Sequence, residues 1–166
     1  MRRLYLLRHA KSSWDEPGLA DRDRPLAPRG RKASKLIAAH LRDEGIAPEL
    51  VLCSPAKRTR QTLKRIGLDD AEVRLEDDLY AASAGELLAV VNGIDEVFES
   101  AMLIGHNPGL QDLALQLAGS GSEIEAMRAK FPTAALATLG LTGGWRELSP
   151  GGAELVAFVK PKQLSS

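Results

Sequence analysis

Short apolar runs of strand length recur along the chain, and each of them stops at a polar or charged residue. The clearest are Leu4–Leu7, Leu50–Cys53 and Ala101–Gly105. Continuous apolar runs of about four to eight residues are typical of strands that are buried on both faces of a sheet. The pattern therefore predicts buried strands that deliver polar side chains to their ends.

The segments that follow these runs have helical patterns. Apolar positions recur at helical spacing between residues 31 and 42, and Gly45 is suited to end that helix. The predicted helices cover residues 31–42, 56–66, 83–91 and 110–117. Because strands alternate with helices that can serve as crossovers, we predict an α/β fold with a mainly parallel central sheet and helices on both faces.

Less regular patterns complete the predicted architecture. Residues 12–30 are rich in Pro, Gly and charge, which predicts a long loop of a kind that is often functional. Residues 119–122 are predicted to form a second loop. Further strand candidates are residues 73–79, where acids interrupt the pattern, 134–139, 145–148 and 154–159. We expect a single domain over residues 1–160, followed by a short tail, 161–166.

The composition argues against several classes of function. The 166 residues suit one domain, and 22 Lys and Arg balance 22 Asp and Glu. A balanced chain with few aromatic side chains lacks the field and the stacking surface of a nucleic-acid binder. The single cysteine, Cys53, excludes an intrachain disulfide and fits a reducing compartment. No apolar run approaches the roughly 18 residues of a membrane span, so we expect a cytoplasmic protein with no nucleic-acid or membrane partner.

Arg8 and His9 follow the first apolar run directly. In open α/β sheets, ligands bind beyond the carboxyl ends of the strands. A neutral imidazole is a competent nucleophile, and a guanidinium can hold an oxyanion with two parallel hydrogen bonds. The pair therefore indicates a phosphate-handling site, although a solvated strand end with an incidental histidine would give the same dipeptide.

The second strand leads into a helix through Ser54 and Pro55, which are suited to a helix cap and a first helical turn. Unpaired N–H groups at such a junction favour an anion. Arg58 lies in the first turn and is the basic residue placed to reach the crevice. The other cations of this helix, Lys57, Arg60, Lys64 and Arg65, are expected to form a solvated face.

The apolar run Ala101–Gly105 leads directly into His106, so two of the three histidines follow apolar strands. The remaining histidine, His40, lies within a predicted helix and is interpreted as structural or solvated. Four such residues would rarely follow the ends of apolar strands by chance. We therefore predict an anion site formed by Arg8, His9, Arg58 and His106.

These motifs resemble those of the histidine phosphatase superfamily, and within it the small phosphohistidine phosphatases of the SixA type. The matching segments, in order, are Leu4–His9, Pro25–Gly30, Ser54–Thr62 and Leu103–Pro108, and the likeness extends over nearly the whole chain. The resemblance implies the three-layer, phosphoglycerate-mutase-like sandwich. It also implies that His9 attacks phosphorus and is transiently phosphorylated, while Arg8, Arg58 and His106 bind the phosphoryl oxygens.

The chain departs from the family pattern in two places. The superfamily commonly has Gly and Glu after the motif histidine, where this chain has Ala10 and Lys11. A counterpart of the acidic residue that serves many relatives as general acid is also missing. Asp77 is the nearest acid by position, and Glu86 is a second possibility, although Ser83 and Glu86 also have the spacing of a helix capping box.

The resemblance favours a phosphatase that removes phosphate from phosphohistidine on a signalling or phosphotransfer protein. A phosphatase for a small phosphorylated metabolite is the alternative among enzymes, and a non-catalytic phosphate-binding module is the alternative of another class. An intact His9 argues against the binding module. No cofactor and no metal are expected, because no cluster with zinc-ligand spacing is present in the sequence.

Overall fold

The computed structural model describes residues 1–164, so Ser165 and Ser166 of the predicted tail lie outside the described residues. The strands are β1 (Arg2–Arg8), β2 (Leu50–Cys53), β3 (Glu72–Leu75), β4 (Ser100–Gly105), β5 (Ala118–Ser120), β6 (Leu136–Leu141) and β7 (Ala153–Val159). The α-helices are α1 (Pro28–Asp43), α2 (Lys57–Ile66), α3 (Ala84–Asn92), α4 (Gly109–Leu117) and α5 (Ile124–Ala129). Short 3-10 helices cover Asp21–Asp23, Asp77–Leu79 and Pro161–Gln163.

The strands form one seven-stranded sheet in the order β3-β2-β4-β1-β6-β7-β5. The pairs β3/β2, β2/β4, β4/β1 and β5/β7 are parallel, whereas β6 is antiparallel to both β1 and β7. The predicted α/β class with a mainly parallel sheet is confirmed. The antiparallel β6 was not predicted, because apolar periodicity carries no information about strand direction.

Both faces of the sheet are covered by helices. Leu4 and Leu6 of β1 belong to the core cluster that includes buried residues of α3, α4 and α5. Tyr5 and Leu7 point to the other face and join the cluster that contains buried residues of α1 and α2. Alternate side chains of a strand point to opposite faces, so the three-layer arrangement is confirmed. No helix within residues 1–164 combines the length and the apolar character needed to cross a bilayer.

The predicted strand over residues 145–148 is wrong. Trp145 is fully buried in a turn region, where its indole Nε1 donates to the Phe98 carbonyl at 2.8 Å. Its backbone N–H donates to the Glu96 carboxylate at 2.9 Å. A buried indole needs such a partner, and these contacts hold the segment as a turn.

Two other predictions need adjustment. Residues 119–122 are not wholly a loop, because β5 extends over residues 118–120. The strand predicted over 73–79 ends at Leu75 and gives way to the 3-10 helix Asp77–Leu79. All four residues of β3 are exposed at the sheet edge, so this strand lacks the apolar run that marks the buried ones.

Two glycines allow close approaches that place helices beside the sheet's carboxyl edge. A Cβ atom at Gly30, in the first turn of α1, would lie 2.1 Å from the Lys11 carbonyl oxygen. One at Gly109, the first residue of α4, would lie 2.2 Å from the Ala82 carbonyl oxygen. Any side chain there would push the helix away from the backbone that it contacts.

Candidate active site

The carboxyl ends of β1, β2 and β4 lie side by side. In the parallel register Arg8 pairs with Gly105, and Cys53 pairs with Ile104. The next residues continue the ladder, because the His9 N–H donates to the Gly105 carbonyl at 3.0 Å and the Ser54 N–H donates to the Ile104 carbonyl at 3.0 Å. The residues that follow the three apolar runs are therefore neighbours in space.

His9 is 7% exposed, and its tautomer follows from its hydrogen bond. Its Nδ1 lies 2.7 Å from the Ala10 carbonyl oxygen, which can only accept, so Nδ1 carries the proton. The other ring nitrogen, Nε2, then has a free lone pair. The backbone here is also fixed, because the N–H of Ala134, a residue with φ of 62°, donates to the carbonyls of both Arg8 and His9.

The environment keeps the imidazole of His9 neutral. Burial, which is the largest cause, and the nearby charges of His106, Arg58 and Arg8 together lower its pKa to about 3, although the Ala10 hydrogen bond opposes this shift. Since protonation would remove the nucleophilic lone pair, this environment keeps His9 in the form that can attack phosphorus.

Arg58 is buried in the first turn of α2, as predicted. Its Nη1 donates to the Asp21 backbone carbonyl at 2.7 Å, and its Nη2 donates to Asp21 Oδ2 at 3.0 Å. The other cations of the helix, Lys57, Arg60, Lys64 and Arg65, are exposed, as predicted for a solvated face.

His106 lies beside His9, with 5.3 Å between the ring centroids. Its Nδ1 is 3.3 Å from Arg58 Nη2 and its Nε2 is 2.7 Å from Ser54 Oγ. Because a guanidinium only donates, Nδ1 accepts and Nε2 donates to the serine. Burial, and then the Arg58 charge, lower the pKa of His106 to about 4.

The sequence predicts that Ser54 caps α2, but the structure shows that it does not. The N-cap position is occupied by Ala56, which provides no side-chain hydrogen bond. The Ser54 hydroxyl instead accepts from His106 and so fixes the orientation of that ring.

Arg8 lies at the edge of the same cluster. Its Nη1 donates to the Phe131 carbonyl at 3.0 Å, and Asn107 Nδ2 donates to that same oxygen at 3.0 Å. Burial, together with the Arg58 charge, lowers the pKa of Arg8 from its usual value. Within residues 1–164 its buried Nε has no hydrogen-bond partner.

Asp21 is the site residue that the sequence did not single out. Besides Arg58, its carboxylate accepts from Tyr80 Oη at 2.6 Å and from Arg24 Nη1 at 3.2 Å. The Tyr80 hydrogen bond, followed by those of Arg58 and Arg24, lowers the pKa of Asp21 to about 2. The predicted long loop 12–30 was a signal for function, but nothing in the sequence distinguished Asp21 from the other acids of that loop.

The structure does not bring Asp77 or Glu86 into this hydrogen-bond network. The Asp77 side chain is 90% exposed and lies 3.8 Å from Arg22. Glu86 forms the predicted capping box, accepting from the Ser83 N–H at 3.0 Å while the Glu86 N–H donates to Ser83 Oγ at 3.2 Å. No cluster of three or more metal-ligating side chains occurs in the described part of the chain.

His40 lies apart from the network, half-buried in the last turn of α1. Within residues 1–164 it shares no side-chain hydrogen bond or ring contact with the strand-end residues. This position agrees with its interpretation as a structural or solvated histidine.

The depressed histidine pKa values predict a loss of stability in acid. In the unfolded chain a histidine titrates near pH 6.5, but His9 and His106 in the folded protein titrate near 3 and 4. Between these values the unfolded chain binds more protons than the folded protein does. The free energy of unfolding that the two neutral imidazoles contribute is therefore complete above about pH 6.5 and declines as the pH falls. We expect a slope of up to about 1.4 kcal/mol per pH unit for each histidine.

Denaturant unfolding of the protein between pH 7 and pH 4.5 measures this slope. The variant His9→Gln should flatten it, whereas His40→Gln, which changes a histidine outside the network, should retain it. A slope that is unchanged in His9→Gln would show that His9 is not held neutral by its surroundings.

The sequence pattern that defines the histidine phosphatase superfamily (branch 1) matches residues 4–100. An uncharacterised protein of Mycobacterium tuberculosis is 40% identical over 160 residues, which covers 94% of this chain and all of that protein.

Solved structures with the same fold include two SixA proteins. A protein of Nakamurella multipartitia that carries the provisional name phosphohistidine phosphatase SixA is 33% identical, with a TM-score of 0.87 and coverage of 96% of both chains. The protein histidine phosphatase SixA in complex with tungstate is 25% identical, with a TM-score of 0.79 and coverage of 98% of this chain and 99% of that one.

Proposed function

Because this chain belongs to the histidine phosphatase superfamily (branch 1) and is of the SixA type, we propose that it is a phosphatase whose substrate is phosphohistidine on a protein. Family membership supports the phosphatase activity. The finer assignment, to phosphohistidine, is supported by the chemistry of the site.

His9 is the proposed nucleophile. Its Nδ1 proton is held by the Ala10 carbonyl, so Nε2 is the nitrogen that attacks phosphorus. The phosphoryl group passes from the substrate nitrogen to Nε2, the substrate histidine leaves, and water then cleaves the phosphorus–Nε2 bond to release inorganic phosphate. This sequence splits one hydrolysis into two transfers through a covalent intermediate.

The cations around His9 are proposed to bind the three equatorial oxygens of the transferred group. Arg58 and Arg8 supply guanidinium donors. In the structure, His106 Nδ1 accepts from Arg58. A bound phosphoryl group would draw the Arg58 donor to itself and favour a proton on His106 Nδ1, which then also donates to the phosphoryl group.

The observation that carries the phosphohistidine assignment is the state of the acid nearest the site. Asp21 is the one carboxylate, within residues 1–164, that is hydrogen-bonded to a proposed catalytic side chain. Its hydrogen bonds hold its pKa at about 2, so at neutral pH it has no proton to donate. An alkyl phosphate expels a poor leaving group and gains about 10²–10⁴-fold from a general acid, whereas the imidazole of phosphohistidine leaves readily.

A comparison of substrates tests this proposal. We expect kcat/KM on a phosphohistidine peptide to exceed that on alkyl and sugar phosphates by about 10²-fold or more, which is the factor that a general acid would contribute. We expect the same advantage for an aryl phosphate, because its leaving group needs little protonation. The variants Asp77→Asn and Glu86→Gln should alter these values less than twofold, and activity should persist in a chelator.

The competing function, a phosphatase for small phosphorylated metabolites, predicts the reverse pattern. It requires efficient hydrolysis of an alkyl phosphate that collapses in Asp77→Asn or Glu86→Gln. That result would overturn the phosphohistidine assignment and identify the missing acid.

A further inference from the structure

Arg8, one of the proposed phosphate-binding residues, is also one of the ten residues that line a groove of about 480 Å³. Its charged lining residues are Arg8, Lys11, Arg29, Lys130, Lys160 and Lys162. The other four residues that line it are uncharged, so among residues 1–164 no carboxylate faces this groove. We call these six side chains and the space between them the basic groove.

The charge of the basic groove is a local feature. The chain as a whole carries 22 basic and 22 acidic residues, yet this groove collects only positive charge. Within the described residues none of its six cations forms an ion pair. Like charges gathered without partners repel one another, and an anionic ligand would relieve that repulsion.

The cations come from four separate segments of the fold. Arg8 and Lys11 flank the end of β1, and Arg29 lies in the first turn of α1. Lys130 follows α5, and Lys160 and Lys162 lie at the end of the described chain. Lys11 also occupies a position where the superfamily commonly has an acidic residue, so at this point the departure from the family pattern adds to the positive charge.

Arg8 connects the basic groove to the proposed chemistry. It lines the groove, and it is also a neighbour of Arg58 in the phosphate site. If the substrate is phosphohistidine on a protein, the polypeptide around that histidine must lie over the surface next to Arg8. Four of the other five cations are exposed and the fifth is half-buried. Exposed cations that are spread along a groove suit an extended acidic surface better than one small anion, which a buried guanidinium would bind.

We propose that the basic groove docks an acidic segment of the phosphohistidine-bearing protein. This inference rests on the proposed function and adds to it the charge of the substrate around its phosphorylated residue. Docking of this kind chiefly raises the rate constant of association, because exposed complementary charges attract the substrate to the groove. Salt screens these charges and should remove the effect.

Paired substrates and paired variants test the proposal. One phosphohistidine peptide carries Asp and Glu beside the phosphorylated residue, and a second carries Asn and Gln at the same positions. The groove variant combines Lys130→Gln, Lys160→Gln and Lys162→Gln. The matched control removes the same number of charges elsewhere, at exposed residues outside the groove, by Lys32→Gln, Lys64→Gln and Arg65→Gln.

At an ionic strength of about 0.01 M, where charges act over roughly 30 Å, we expect the native protein to prefer the acidic peptide by about tenfold in kcat/KM. The groove variant should lose this preference, the control should keep it, and salt at about 0.15 M should reduce it in the native protein. The salt titration needs no substitution, so it tests the preference for the acidic peptide even if the groove variant folds poorly.

Three results would contradict docking, and they differ from one another. Equal turnover of both peptides by the native protein at low salt would remove the docking role and leave the phosphohistidine assignment intact. Hydrolysis of an aryl phosphate without hydrolysis of either peptide would refute the proposed function itself. Inhibition by inorganic polyphosphate that is lost in the groove variant, without any peptide preference, would assign the groove to a small polyanion instead.

Discussion

Replacing His9 by Ala is expected to lower kcat on both a phosphohistidine peptide and an aryl phosphate by about 10⁴-fold or more, as removal of a catalytic nucleophile does. The imidazole is buried and held neutral, with Nε2 free to attack. Among the described residues, no other side chain at these strand ends has an unprotonated nitrogen with an unused lone pair, because His106 Nδ1 accepts from Arg58. Steady-state turnover of the purified variant measures the loss.

The matched control is His40→Ala, which removes the histidine that lies outside the network. It should retain turnover within about twofold, and its thermal midpoint should report any loss of folding separately. Comparable losses in His9→Ala and His40→Ala would show that position at a strand end did not identify the catalytic histidine.

Replacing Arg58 by Ala is expected to lower kcat by about 10²–10³-fold, the effect of removing one donor that stabilises charge in the transition state. Arg58 is buried beside His106 and is already positioned by two hydrogen bonds to Asp21. Binding of inorganic phosphate, the product of the proposed reaction, should weaken in the same variant. Isothermal titration calorimetry measures that binding independently of turnover.

Arg60→Ala provides the control for this prediction, since Arg60 lies two residues along α2 and is exposed. It should leave both turnover and the affinity for inorganic phosphate nearly unchanged. If Arg60→Ala matched Arg58→Ala in both measurements, a general field from the helix would explain the effect better than a specific donor.

The sequence predicted the parts of the fold that local pattern controls. Apolar runs located β1, β2 and β4, and the residues after those runs are neighbours because parallel strands bring their carboxyl ends to one edge. The capping box at Ser83 and Glu86 was also correct, because both partners of that interaction lie within one helical turn.

Features that depend on distant contacts were not predictable in this way. Ser54 has the composition of a helix cap, but His106, which is 52 residues away, takes its hydroxyl. Asp21 belongs to a loop with several acids, and only the folded chain places it against Arg58 and Tyr80. The local pattern predicts a strand at Trp145, whereas contacts with Glu96 and Phe98, which come from another part of the chain, hold it in a turn.

In the proposed mechanism the phosphoryl group of the substrate passes to His9. The most direct measurement is a single-turnover reaction with a ³²P-labelled phosphohistidine peptide, quenched rapidly in alkali and followed by peptide mapping. We expect alkali-stable, acid-labile label on the peptide that contains His9, formed and lost at rates compatible with turnover, and no label in His9→Ala. Label that persists in His9→Ala, or turnover of the native protein without any labelled intermediate, would contradict it.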